Sequence, residues 1–145
     1  MAKKKSKKPS ASSSASPPEI PLLFIDRCAW SQRLDDALKE AGIPFVAHRE
    51  KFEPACDDTV WLTVAGQEGW VVITRDKNIR RKANELLAFR EARLIVFALA
   101  SGNTSAADTA ALVTGLYPKF LKLARSTKPP AMFSVSLGRT ISPVR

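Results

Sequence analysis

The chain has 145 residues and a formal net charge of +9. That length suits one domain, and the charge suits a polyanionic partner, since phosphates neutralised by Lys and Arg drive nucleic-acid affinity. Hydrophobic residues make up 45% of the chain, enough for a core, yet no apolar run nears the roughly 20 residues that a membrane span requires. Cys28 and Cys56 match neither a disulfide framework nor a metal-ligand spacing. Both read as small apolar residues, and the expected compartment is the reducing cytoplasm.

Residues 1–19 carry five lysines and one glutamate, +4 of the total, which leaves +9 − 4 = +5 for the remainder. Lys, Ser, Ala and Pro bury too little surface to offset chain entropy. The segment therefore reads as a disordered basic tail, either solubilising or an electrostatic arm for RNA. It has no apolar stretch of the secretory kind. A single folded domain is expected over 20–145.

From Leu22 the pattern alternates between strand and helix. "LLFI" is a first strand, and Trp30, Leu34, Ala37, Leu38 and Ala41 recur at helical spacing up to Gly42. "IPFVA" is a second strand and "HREKFEPACDD" a loop. Asp57 or Asp58 starts the next helix, with Val60, Trp61, Val64 and Ala65 on its apolar side. A third strand covers Trp70 to Thr74. A third helix begins near Asn78, marked by Ile79, Ala83, Leu86 and Leu87, and Leu94 to Leu99 is the fourth strand. A long helix runs from about Ser105, with Gly115 and Pro118 expected to kink or split it. "MFSVS" and "RTIS" read as two edge strands around Leu137-Gly138. Trp61 and Trp70 are expected in the core, and His48 in a loop without a role.

This alternation predicts a mainly parallel sheet covered on both faces, a three-layer α/β/α sandwich, with strand order 2-1-3-4. Ligands of such sheets bind beyond the carboxyl ends of the strands, where the order reverses. Here that point lies between the first and third strands, which Asp26 and Asp76 terminate. Adjacent strands lie about 4.8 Å apart, so these carboxylates should converge, and Asp58 can reach the same rim. Two anions at about 5 Å repel by roughly 3 kcal/mol at an effective dielectric of 20. Such a cluster persists when it binds a cation or holds protons. Oxygen ligands suit Mg²⁺ or Mn²⁺, and a basic chain with such an ion points to phosphodiester hydrolysis. Taken singly, each aspartate also has a plain structural use, as a helix cap or a loop residue. One histidine excludes a paired-histidine ribonuclease, and no G-x-S-x-G, Walker A or G-x-G-x-x-G motif occurs.

At "FIDR", at "DDTVWLTVAGQEGWVVITRDKNIRR" and at "MFSVS" after the long helix, the sequence resembles the PIN-like nucleases, in particular the short VapC-type toxins. The resemblance spans about Leu22 to Ser136. It implies catalytic and metal-ligating roles for Asp26, Asp58 and Asp76, a substrate-contacting Thr74, and Mg²⁺- or Mn²⁺-dependent endoribonuclease action. RNA is the implied substrate and a cognate antitoxin the implied protein partner, with a homodimer left open. Many of that family carry a further acid two residues after the Thr-x-Asp aspartate; here Asn78 stands there, and Glu50 and Glu53 are the remaining candidates for a fourth. Lys77 and Arg80, just past Asp76, are placed to grip an RNA backbone. Two alternatives stand beside this reading. One is a non-catalytic RNA- or antitoxin-binding module. The other is a receiver-like phosphoacceptor domain, which would need an acidic pair after the first strand where Asp26 is followed by Arg27.

Overall fold

The computed structural model describes residues 20–76, 82–100 and 104–144. Six strands form one sheet: β1 (Leu23–Ile25), β2 (Phe45–Ala47), β3 (Val71–Thr74), β4 (Ile95–Leu99), β5 (Ala131–Val135) and β6 (Ile141–Pro143). Their order is β2-β1-β3-β4-β5-β6, as the sequence predicts for the first four. All pairings are parallel except that of β5 with β6. The stretch "MFSVS", expected at an edge, is instead an inner strand. The long helix before it supplies the crossover that a strand parallel to β4 requires, and only β6 is left at that edge.

The helices are α1 (Gln32–Glu40), α2 (His48–Lys51), α3 (Asp58–Glu68), α4 (Ala83–Ala92) and α5 (Ala106–Ser126). Successive strand side chains point to opposite faces, and this sorts the core into two layers. Leu23, Ile25, Ile73 and Phe97 meet Leu34 and Leu38 of α1 and Val113, Leu116 and Phe120 of α5. Phe24, Val72 and Val96 face the other way, against Trp61 and Leu62 of α3 and Phe89 of α4. The ring of Phe24 stacks on Trp61 and on Trp70, with centroids 5.2 and 5.3 Å away, so both tryptophans are core residues as expected.

Three local features depart from the sequence reading. The loop after β2 contains a short helix, α2, because the Glu50 carboxylate accepts a hydrogen bond from the Ala47 N–H at 2.7 Å and closes its first turn. The long helix is neither split nor interrupted: Pro118 lies inside one continuous α5. The third helix is found from Ala83, and the segment 77–81, where its start was expected, lies outside the described residues.

Helices α3 and α4 pack side by side, and Gly66 sets how closely. A Cβ there would lie 2.5 Å from both the Cβ and the carbonyl oxygen of Ala92. Because α3 follows β2 and α4 follows β3, both present their N-termini at the carboxyl edge of the sheet.

Candidate functional site

Asp26 leaves β1 opposite Thr74, the last residue of β3, and its N–H continues the ladder by bonding to the Ile73 carbonyl at 2.9 Å. The carboxylate is 4% exposed. Its Oδ2 accepts from the Thr74 hydroxyl at 2.8 Å and its Oδ1 from the Arg27 N–H at 2.7 Å. The Cys28 thiol donates to the same Oδ2 at 3.3 Å. Local desolvation of the sulfur, followed by the charge of Asp26, raises the pKa of that thiol, although the residue as a whole is exposed; Cys28 is a hydrogen-bond partner of Asp26 and not the inert apolar residue expected from sequence. Thr74 is fully buried. Its oxygen also accepts the Asp76 N–H at 3.0 Å, which fixes the turn on which Asp76 leaves the sheet.

Asp57 caps α3, its carboxylate accepting from the N–H and the hydroxyl of Thr59, each at 2.9 Å. The adjacent Asp58 is thereby free of capping duty. It takes two hydrogen bonds on Oδ1, from Trp61 Nε1 at 2.8 Å and from Arg27 Nη2 at 3.0 Å.

Among the described residues, one group of acids is gathered tightly enough to hold an ion: Asp58, Asp76 and Glu85, each offering one oxygen within 4.8 Å of the others. The structure thus joins Asp58 and Asp76, as the sequence suggested, to an acid that the sequence reading did not select. Asp26 lies outside this group, beside it through the shared Thr74 hydroxyl. Glu50 is occupied in the α2 turn. Lys77 and Arg80 fall outside the described residues.

Glu85 stands in the first turn of α4 and is 5% exposed. Lys82 approaches its Oε2 at 3.5 Å, while the buried Oε1 has no hydrogen-bond partner among the described residues. Burial first, and then the charge of Asp58, raise its carboxyl pKa. A signal for it does exist in the sequence. Glu85 precedes Phe89 by four positions, so it lies on the buried stripe of α4, where a carboxylate needs a reason. Three carboxylates with an unpartnered buried oxygen fit a small divalent cation with oxygen preference, Mg²⁺ or Mn²⁺.

Trp30 is not a free platform for a base: its Nε1 donates to Asp35 at 3.0 Å, and the Arg49 guanidinium lies 4.6 Å over its ring. His48, expected in a loop, opens α2 and is 1% exposed. It packs near Phe24 and Phe52, with ring centroids 6.1 and 5.4 Å away. No helix among the described residues is long and apolar enough to cross a membrane.

A mainly parallel three-layer sandwich with acids gathered at the carboxyl edge beside its switch point is the architecture that the sequence motifs implied. Residues 21–101, more than half of the chain, match the model of a family described as a PIN like domain, and the chain belongs to that family. It is also similar to a Mycobacterium tuberculosis protein named "Putative ribonuclease VapC45", with 27% identity over 71 residues, 46% of this chain and 51% of that protein. The chain thus spans about half the length of the curated relative it matches. No solved structure matches the chain at a comparable level of significance.

Proposed function

We propose that this protein is a metal-dependent endoribonuclease of the VapC type, hydrolysing phosphodiester bonds in RNA. The observation that carries the proposal is the convergence of Asp58, Asp76 and Glu85 from three separate segments, with a buried Glu85 oxygen that has no hydrogen-bond partner among the described residues. Membership of the PIN-like family and the name of the mycobacterial relative support it. Asp58, Asp76 and Glu85 would hold Mg²⁺ or Mn²⁺, with Asp26 as the neighbouring carboxylate that anchors Thr74. When bound, the cation would polarise the scissile phosphate and offset charge on the leaving oxygen. Thr74, through Asp26 and the Asp76 N–H, keeps the strand end rigid, and Lys77 and Arg80 would grip flanking phosphates. As a VapC-type toxin the protein would act on cytoplasmic RNA and be restrained by a cognate antitoxin.

Purified protein should cleave single-stranded RNA with Mg²⁺ or Mn²⁺ and stop when EDTA is added. Asp76→Asn and Asp58→Asn should fold and lose at least about a hundredfold in rate. Growth arrest caused by the wild type should be lifted by either substitution. Absence of metal-dependent cleavage across varied RNAs, or undiminished cleavage by Asp76→Asn, would overturn the nuclease reading and favour a non-catalytic binding module.

A further inference from the structure

Arg27 follows Asp26 directly, and its side chain reaches across to the segment that leads into α3. Nη1 donates to the carbonyl of Pro54 at 2.7 Å and to that of Cys56 at 3.2 Å. Nη2 donates to Asp58 Oδ1 at 3.0 Å. Nη1 also lies 3.5 Å from Nε2 of the buried His48. One side chain leaving β1 therefore joins two carbonyls of the 52–57 loop and the first residue of α3.

Electrostatics alone do not account for an arginine here. The pair with Asp58 is partly exposed, 40% on the arginine and 17% on the aspartate, and such pairs add little stability. A positive charge beside acids that are to receive a divalent cation also opposes the cation. Geometry supplies a reason. A guanidinium is a rigid planar fork that reaches several acceptors in fixed directions, which an ammonium cannot do. Asp58 Oδ1 is gripped by this fork and by Trp61 Nε1, which together orient the carboxylate.

We infer that Arg27 is a positioning residue that sets the Asp58 carboxylate against Asp76 and Glu85 and fastens the loop leading into it. The inference rests on the nuclease reading above and goes beyond it, because it assigns the ordering of the metal-binding acids to a residue that is neither a ligand nor a contact of the reacting phosphate. Partners that orient metal ligands typically matter about 10- to 100-fold in metal affinity or activity.

The test uses the full chain, with Arg27→Lys keeping the charge and Arg27→Gln removing it. Mn²⁺ affinity is read from intrinsic tryptophan fluorescence and from thermal shift, and cleavage of a single-stranded RNA is resolved into kcat and KM. Both variants should bind Mn²⁺ about tenfold more weakly and lose about tenfold or more in kcat, with KM for RNA little changed. The lysine should not rescue. Wild-type behaviour of Arg27→Lys would show that charge alone suffices and would overturn the inference. A raised KM with unchanged kcat would place the arginine on the RNA and overturn it as well. If neither variant folds, Arg27→Met keeps an apolar stem of similar length and removes every donor; a weakened Mn²⁺ affinity then supports the inference and an unchanged one overturns it. A wild type that neither binds Mn²⁺ nor cuts RNA defeats the nuclease reading and this inference together. A wild type that does both, with unaltered Arg27 variants, defeats this inference alone.

Discussion

Replacing Glu85 by glutamine should raise stability without metal and blunt the stabilisation that metal brings. The three acids have oxygens within 4.8 Å of one another. At that distance each pair of charges repels by about 3.5 kcal/mol at an effective dielectric of 20, and Glu85 takes part in two of the three pairs. Most of this gross term is already relieved, because Arg27 pairs with Asp58, Lys82 approaches Glu85, and the raised carboxyl pKa eases protonation of Glu85. The remaining gain on removing the charge is about 1–2 kcal/mol, or about 3–10 °C in Tm for a domain of this size. Scanning calorimetry in EDTA should show Glu85→Gln melting higher than wild type. Added Mn²⁺ should then stabilise the wild type, by about 2.7 kcal/mol at a hundred times its dissociation constant, and the variant by less than half as much. A variant that melts below wild type in EDTA, or that keeps the full metal-induced shift, would refute the view that these acids repel one another until a cation joins them.

Thr74→Val should cost about 2 kcal/mol in urea unfolding, because it strips hydrogen bonds from the buried Asp26 carboxylate and the Asp76 N–H; a loss below about 0.5 kcal/mol would mean that the pairing is dispensable. Burial, then the nearby Arg27 charge, hold the imidazole of His48 below its usual pKa. The unfolded chain therefore takes up that proton first, and the stability linked to His48 is full above about pH 7 and lost as the pH falls below about 6.5. His48→Gln should flatten that part of a stability–pH curve, and an unchanged slope would exclude the linkage. Deleting residues 1–18 should leave the melting temperature unchanged and make RNA binding less salt-dependent, since fewer phosphate counterions are released; an identical salt slope would limit the tail to solubility.

The sheet was legible because "LLFI", "VVIT" and "LIVFAL" have no polar face and must lie between two layers. Asp58 and Asp76 were legible for a related reason: a carboxylate at the end of a buried strand or at a helix start marks the edge where such sheets bind ligands. Glu85 was passed over: its one signal is a place four residues before Phe89 on the buried side of α4, glutamate is otherwise an ordinary helix residue, and only the packing of α3 against α4 brings it to Asp58. Arg27 was visible as a residue, but its partners, Pro54, Cys56 and Asp58, lie about thirty positions away in a loop whose course no periodicity records. The edge position expected for β5 failed because local pattern distinguishes strand from helix but not an inner strand from an outer one.

The close approach at Gly66 and Ala92 sets the separation of α3 and α4 at their C-terminal ends. Asp58 stands eight residues from Gly66 and Glu85 seven from Ala92, about 12 and 10 Å along their axes at 1.5 Å per residue. Widening that separation by the width of one methyl group, as Gly66→Ala would force, shifts the far ends of both helices, where the acids stand. If these acids hold a cation as proposed, the spacing of Asp58 and Glu85 would then depend on a contact at the opposite end of the helix pair.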